Sequence, residues 1–147
     1  MKVPTPPAAS TEEVIHVANF RAALRRFHRQ SEQTARRCGL TPQRYVLLLM
    51  VKGAPDGSES STVSELAERL QLAQSTVTEL VTRAAEVGLL DRRPSSSDAR
   101  ITHLVLTAEG ERRLGCAVAH LSEERYALAE ALREVEHLPD GDGPRRP

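Results

Sequence analysis

Gln74, Ser75, Thr76, Thr78, Glu79, Thr82 and Arg83 fall on one side of a helical pattern whose other side is Val77, Leu80, Val81 and Ala84, at i, i+3, i+4 and i+7. Most of these polar side chains are short. They can approach base edges and phosphates without the bulk that keeps a helix out of a major groove. Downstream, Arg92, Arg93 and Arg100 flank the polar stretch Pro94-Ser95-Ser96-Ser97-Asp98-Ala99. Guanidinium groups so placed can reach phosphates or a narrow minor groove, whose negative potential attracts them. Asp98, two residues before Arg100, can brace it. Arg44 and Thr62, at the starts of the two preceding helical segments, complete the candidate DNA-contact set. The chemistry these residues offer is recognition of a duplex. The polar helix side taken alone reads equally well as the solvated face of an amphipathic helix, so the flanking elements decide.

Those elements follow an order. Thr41 and Pro42 form a cap and first-turn pair that starts a helix running through Val51, and residues 53–61 read as a surface loop. Thr62 can cap a helix to Leu70, with Glu65 three residues on to close a capping box, and Val63, Leu66, Ala67 and Leu70 as its apolar side. The polar-faced helix then occupies residues 74–85 and ends before Gly88. Leu89–Arg93 and the β-prone run Ile101–Leu106 make two short strands joined by the polar tip, a wing. Before this block, residues 11–38 form a long helical pattern with a stripe of Val17, Phe20, Leu24 and Phe27 that seeks a partner helix. After it, Leu114, Val118, Leu121, Leu128 and Leu132 mark a second helical surface over 107–138. The two surfaces suit an intertwined dimer.

Thr62–Leu70, the Ser75-Thr76-Val77-Thr78-x-Leu80-Val81 helix, Gly88-Leu89-Leu90, Asp98-x-Arg100, Leu106-Thr107-x-x-Gly110 and Leu40-Thr41-Pro42-Gln43-Arg44-Tyr45 together resemble the MarR family of bacterial transcriptional regulators, over about residues 12 to 115. The resemblance implies a mainly α fold with a small β-hairpin wing. It assigns a winged helix-turn-helix to 41–106 and dimerisation helices to 11–38 and 107–138, all within one domain, 11–138. It further implies a homodimer on a pseudo-palindromic double-stranded DNA operator, with half-sites about one helical turn apart. The 74–85 helices would enter successive major grooves and Arg100, braced by Asp98, the flanking minor grooves. Repression relieved by a small aromatic or anionic effector is the family default. By position Phe20, Leu24, Phe27, Tyr45 and Leu48 would line the effector cleft, although each is also a natural core residue. Two departures stand out: Ala73 occupies a place where relatives often carry a capping Ser, Thr or Asp, and the C-terminal region is short.

Composition bounds the rest. A chain of 147 residues, 39% hydrophobic, suits one modest core, and no apolar run approaches the roughly 20 residues needed to cross a bilayer. No secretory segment is visible, so a cytoplasmic location and no membrane partner are expected. Formal net charge is zero but unevenly spread: residues 20–52 hold eight basic side chains against Glu32 alone, whereas residues 62–107 hold five against six acidic. Affinity for DNA should therefore rest on a few placed contacts and on dimer avidity. Cys38 and Cys116 are too few for a disulfide framework and are expected as free thiols. Cys116 and His120 stand at i, i+4, but His16, His28, His103 and His137 are scattered, and no metal or other cofactor is expected. No phosphate loop, nucleophile elbow or His-Glu-x-x-His helix is present, which argues against an enzyme. The competing class is a winged helix serving as a protein-interaction module. Residues 1–10 and 139–147, rich in Pro, Gly and charge, are expected to be flexible tails.

Overall fold

The helix starts expected from Thr41 and Thr62 are present in the computed structural model, which describes residues 3, 5 and 7–137. The expected tail 139–147 lies outside the described residues. The order is α1 (Thr11–Arg37), α2 (Pro42–Lys52), α3 (Val63–Leu70), α4 (Gln74–Glu86), β1 (Leu90–Pro94), β2 (Thr102–Leu106), α5 (Ala108–Ala119) and α6 (Leu121–Glu136). None of these helices is long and apolar enough to cross a membrane. The chain divides into two compact units: its two ends, up to residue 31 and from residue 122, and the span Glu32–Leu121.

In the central unit each boundary has a local cause. Thr41 Oγ1 accepts the Arg44 N–H and Thr62 Oγ1 the Glu65 N–H, both at 3.2 Å, which satisfies amides that a helix start leaves open. Ala73 offers no such bond to α4. The far end of α4 closes as a Schellman turn: Gly88 has φ +76°, its N–H donates to Ala85 O at 3.0 Å, and Leu89 N–H donates to Ala84 O at 3.0 Å. The turn docks at once on the start of α5, because Thr107 Oγ1 donates to Gly88 O at 2.5 Å and accepts the Gly110 N–H at 3.1 Å. β1 and β2 pair antiparallel from Leu90–Leu106 to Pro94–Thr102. Ser61, which the sequence places in a surface loop, is buried and adds an isolated antiparallel bridge on the other side of β2, exchanging backbone bonds with Leu104 at 3.2 and 2.8 Å. Its small hydroxyl side chain gives no periodic signal.

Leu47, Leu48, Val51, Leu66, Val77, Val81, Leu89, Leu90 and Leu104 are fully buried in one cluster. Each contributes about 1.5–3 kcal/mol by leaving water, so α2, α3, α4 and the hairpin hold one another in place. Two sequence expectations need correction here. The C-terminal helical surface is two helices, broken at His120, whose N–H turns back to Ala117 O at 3.1 Å; the apolar spacing runs across the break and hides it. Cys38 and Cys116 are not free thiols. They form a disulfide across 78 residues with Cα atoms 5.7 Å apart, a proximity that sequence spacing cannot reveal. Beside it, Arg113 Nη1 donates to Gly39 O at 2.8 Å, and hydrogen bonds from Arg112 and then Arg113 hold the Glu109 carboxyl at about 2. In the chain-entropy picture a loop of this length stabilises by about 4.5 kcal/mol, and disulfides commonly contribute about 2–4. Reduction should lower the denaturant midpoint of unfolding correspondingly, measured with and without a thiol reductant.

The terminal unit has a different character. α1 begins in a reciprocal capping box, Ser10 N–H to Glu13 Oε2 at 2.6 Å and Glu13 N–H to Ser10 Oγ at 3.1 Å, so Ser10, which the sequence assigns to the tail, is the helix cap. Small residues are buried in it, Ala23, Ala127 and Ala131, while Val14, Ile15, Val17, Tyr126, Leu128, Leu132 and Val135 are exposed, Leu132 at 54% and Tyr126 at 62%. Phe20, Leu24 and Phe27 are partly buried. Arg26 and Glu130 pair at 3.7 Å, and the His16 and His137 rings stack with centroids 6.2 Å apart.

Candidate nucleic-acid interface

α4 buries Val77, Val81 and Ala84 and turns Gln74, Ser75, Thr76, Thr78, Glu79 and Arg83 outward, with Thr82 half-buried. The expected polar face is therefore solvent-facing, but its members are not equivalent. Gln74 Nε2 donates to Ser64 Oγ at 3.3 Å, tying the first turn of α4 to α3. The Thr78 hydroxyl donates to Gln74 O at 2.9 Å, which leaves its lone pairs outward. Arg83 is ion-paired with Glu79. Ser75 and Thr76 stand at the exposed start of the helix, where amides left open by the missing Ala73 cap also face outward. An anion such as a phosphate oxygen is the natural acceptor for those amides.

The wing follows from the hairpin. Arg92 Nη2 donates to Thr82 Oγ1 at 3.0 Å, so β1 carries one arginine tied to α4, and both Arg92 and Arg93 are exposed. At the tip, Ser95 N–H donates to Ile101 O at 2.8 Å and Ile101 N–H to Asp98 O at 3.0 Å. The Asp98 carboxylate accepts the Arg100 backbone N–H at 3.0 Å. Asp98 thus braces the turn that carries Arg100, through the backbone N–H. Arg100 is exposed and shares a groove with Thr62, Val63, Ser64, Glu65, Ile101 and Thr102. Thr62 and Arg100, far apart in sequence, are brought together. Arg44 is half-buried in the first turn of α2.

The candidate effector residues divide. Tyr45 and Leu48 are buried in the core of the central unit, whereas Phe20, Leu24 and Phe27 line one side of α1 in the terminal unit. The sequence also missed an open apolar hollow of about 390 Å³ beside the interface helix, lined by Pro42, Gln43, Val46, Leu70, Leu72, Thr76 and Leu80. Leu72, an apolar residue in the turn between α3 and α4, was the available signal.

Residues 39–101 match the model of the MarR family. The structure resembles Sco3205, a MarR family transcriptional regulator from Streptomyces coelicolor in complex with DNA, at 22% identity and TM-score 0.70, covering 94% of each chain. AbsC, another such regulator from that organism, is 20% identical with TM-score 0.65, over 91% of this chain and 85% of its own. A MepR variant of S. aureus bound to an oligodeoxyribonucleotide is 18% identical with TM-score 0.61, over 85% of each chain. No curated protein sequence matches. At these identities the solved structures speak to the fold, and the family match to the winged-helix segment.

Proposed function

We propose that this chain, a MarR family protein through its winged-helix segment, is a sequence-specific DNA-binding transcriptional regulator that acts as a homodimer in the cytoplasm. The observation that carries this is the pairing, in one unit, of an outward polar start to α4 with an exposed, backbone-braced Arg100 on the wing. A protein-interaction module would not require either. A helix start and a wing tip together suit one major groove and the flanking minor groove. The exposed apolar side chains of α1 and α6, Val14, Ile15, Val17, Leu128, Leu132 and Val135, favour a second copy as their cover, because a lone chain leaves too much apolar surface in water. Two winged helices related by a twofold axis require a pseudo-palindromic operator.

Repression relieved by a small aromatic or anionic effector is the working mode, with Phe20, Leu24, Phe27, Tyr45 and Leu48 the residues to vary first. An effector acts only if it binds the DNA-competent and incompetent arrangements with different affinity. Fluorescence anisotropy with the DNA flanking the gene tests the main claim. Saturable binding that survives competitor DNA is expected; weak, sequence-blind, salt-sensitive binding would instead favour the interaction module.

Roles within the interface are separable. Thr76→Ala, Thr78→Ala and Gln74→Ala should change the preference profile across a base-substituted operator panel, Thr76→Ala the most, since no hydrogen bond within the protein engages its hydroxyl among those described. Arg44→Ala and Arg92→Ala should lower affinity about equally for all sequences and flatten the salt dependence. Indistinguishable profiles from the two groups would refute the division.

A further inference from the structure

Three side chains of metal-ligating type converge in the central unit. Cys38 follows α1, Cys116 lies in α5, and His120 caps the end of α5; one ligand atom from each lies within 4.8 Å of the others. Cys116 and His120 share a helix face at i, i+4, and the fold delivers Cys38 to that face from 78 residues away. Burial is graded from a buried Cys38 through a half-buried Cys116 to an exposed His120, so the cluster is open on one side. His120 Nδ1 lies 2.8 Å from Cys116 O; since a carbonyl can only accept, Nδ1 carries the proton and the lone pair of the neutral ring sits on Nε2. That is the arrangement by which metal-bound imidazoles are oriented. His137 makes the same kind of bond to Arg133 O at 2.6 Å with no thiol beside it, so the bond is a common helix-end feature. The convergence on two sulfurs is what sets His120 apart.

We propose that, once its disulfide is reduced, this cluster binds one thiophilic d¹⁰ cation of the zinc class, with Cys38 Sγ, Cys116 Sγ and the His120 imidazole as ligands and a fourth position open to solvent. The disulfide and the metal are mutually exclusive. In the disulfide each sulfur spends its bonding electrons on the other and carries no thiolate charge. A dithiol reductant supplies two electrons and two protons, breaks the S–S bond into two thiols, and itself becomes a disulfide. The cation then displaces the two thiol protons, and the two thiolate charges neutralise its own. Separating the sulfurs to ligand distances asks for side-chain rotation at two adjacent positions, because the backbone already brings them together. Either state fastens the end of α1 to α5, so the central unit keeps a cross-link in both.

Co²⁺ is the probe, added to the full chain reduced by a phosphine and held without oxygen. Reduced protein should take up one ion per chain, with thiolate-to-cobalt charge transfer in the near ultraviolet and the intense visible bands of a tetrahedral site, and Zn²⁺ should displace it. The disulfide form should show neither band. Cys38→Ser should weaken binding by tenfold or more and reduce the charge-transfer intensity. His120→Ala alters an exposed side chain, leaves both cysteines free to pair, and so keeps the fold while it weakens Co²⁺ binding by tenfold or more. A reduced chain without the bands, equal binding by the oxidised chain, or a His120→Ala variant that binds like the parent would each overturn the site and leave Cys38–Cys116 as a structural disulfide only.

Discussion

Gly110→Ala should destabilise the central unit by about 3 kcal/mol, although the same change in an ordinary helix stabilises by up to about 1. A Cβ on Gly110 would meet Leu89 O at 2.3 Å and Leu89 C at 3.2 Å. Both are backbone atoms, and neither can rotate away. The Leu89 carbonyl is fixed because it accepts the Thr107 N–H at 3.1 Å, while the preceding residue, Gly88, is held at φ +76° by the end of α4. Relief would require the α4–β1 turn to lift off the start of α5, breaking the Thr107–Gly88 hydrogen bond as well. Gly115, farther along α5, has no atom within 4 Å of its notional Cβ, so Gly115→Ala should be neutral or mildly stabilising. Urea unfolding of the pair of variants checks this: the Gly110 midpoint falls with little change in slope, and the Gly115 midpoint holds or rises. Equal midpoints would mean that the close approach carries no strain.

The contrast between those glycines shows what kind of information a sequence carries. Thr41-Pro42, Thr62-x-x-Glu65, the α4 periodicity and Gly88 are local signals, each decided by a residue and its neighbours within one turn, and each is found where the sequence places it. The reason for Gly110 is not local: nothing in Thr107-x-x-Gly110 states that a carbonyl twenty-one residues earlier will lie against it. Cys38 and Cys116 pose the same difficulty over a longer span, as does Ser61 against Leu104. The break at His120 was hidden for another reason, since α5 and α6 keep apolar residues at helical spacing on both sides of it. In the interface, identities were legible and their pairing was not. Gln74 and Ser64, Thr82 and Arg92, and Asp98 with the backbone of Arg100 are tied by geometry that only the packed α3, α4 and hairpin supply.

Arg100→Ala should weaken operator binding by roughly ten- to a hundredfold, equivalent to about 1–3 kcal/mol, and leave thermal stability unchanged. The side chain is exposed at the wing tip and the backbone N–H that Asp98 braces survives the substitution, so the turn keeps its shape. Arg100→Lys should recover only part of the loss, because an ammonium keeps the charge but is more strongly hydrated and lacks the planar fork suited to a narrow groove. Asp98→Ala acts in the opposite sense on the charge: it removes an anion near DNA, which favours binding, but releases the Arg100 N–H and loosens the tip, which disfavours it. Ordering a freed turn costs about 1–2 kcal/mol per residue, more than one screened charge returns, so Asp98→Ala should bind less tightly than the parent and more tightly than Arg100→Ala. The order parent, Asp98→Ala, Arg100→Ala in anisotropy titrations at one fixed salt concentration is therefore expected. If Asp98→Ala binds as well as the parent while Arg100→Ala does not, the brace is irrelevant and Arg100 acts from a mobile tip; if both bind like the parent, the wing takes no part in holding DNA.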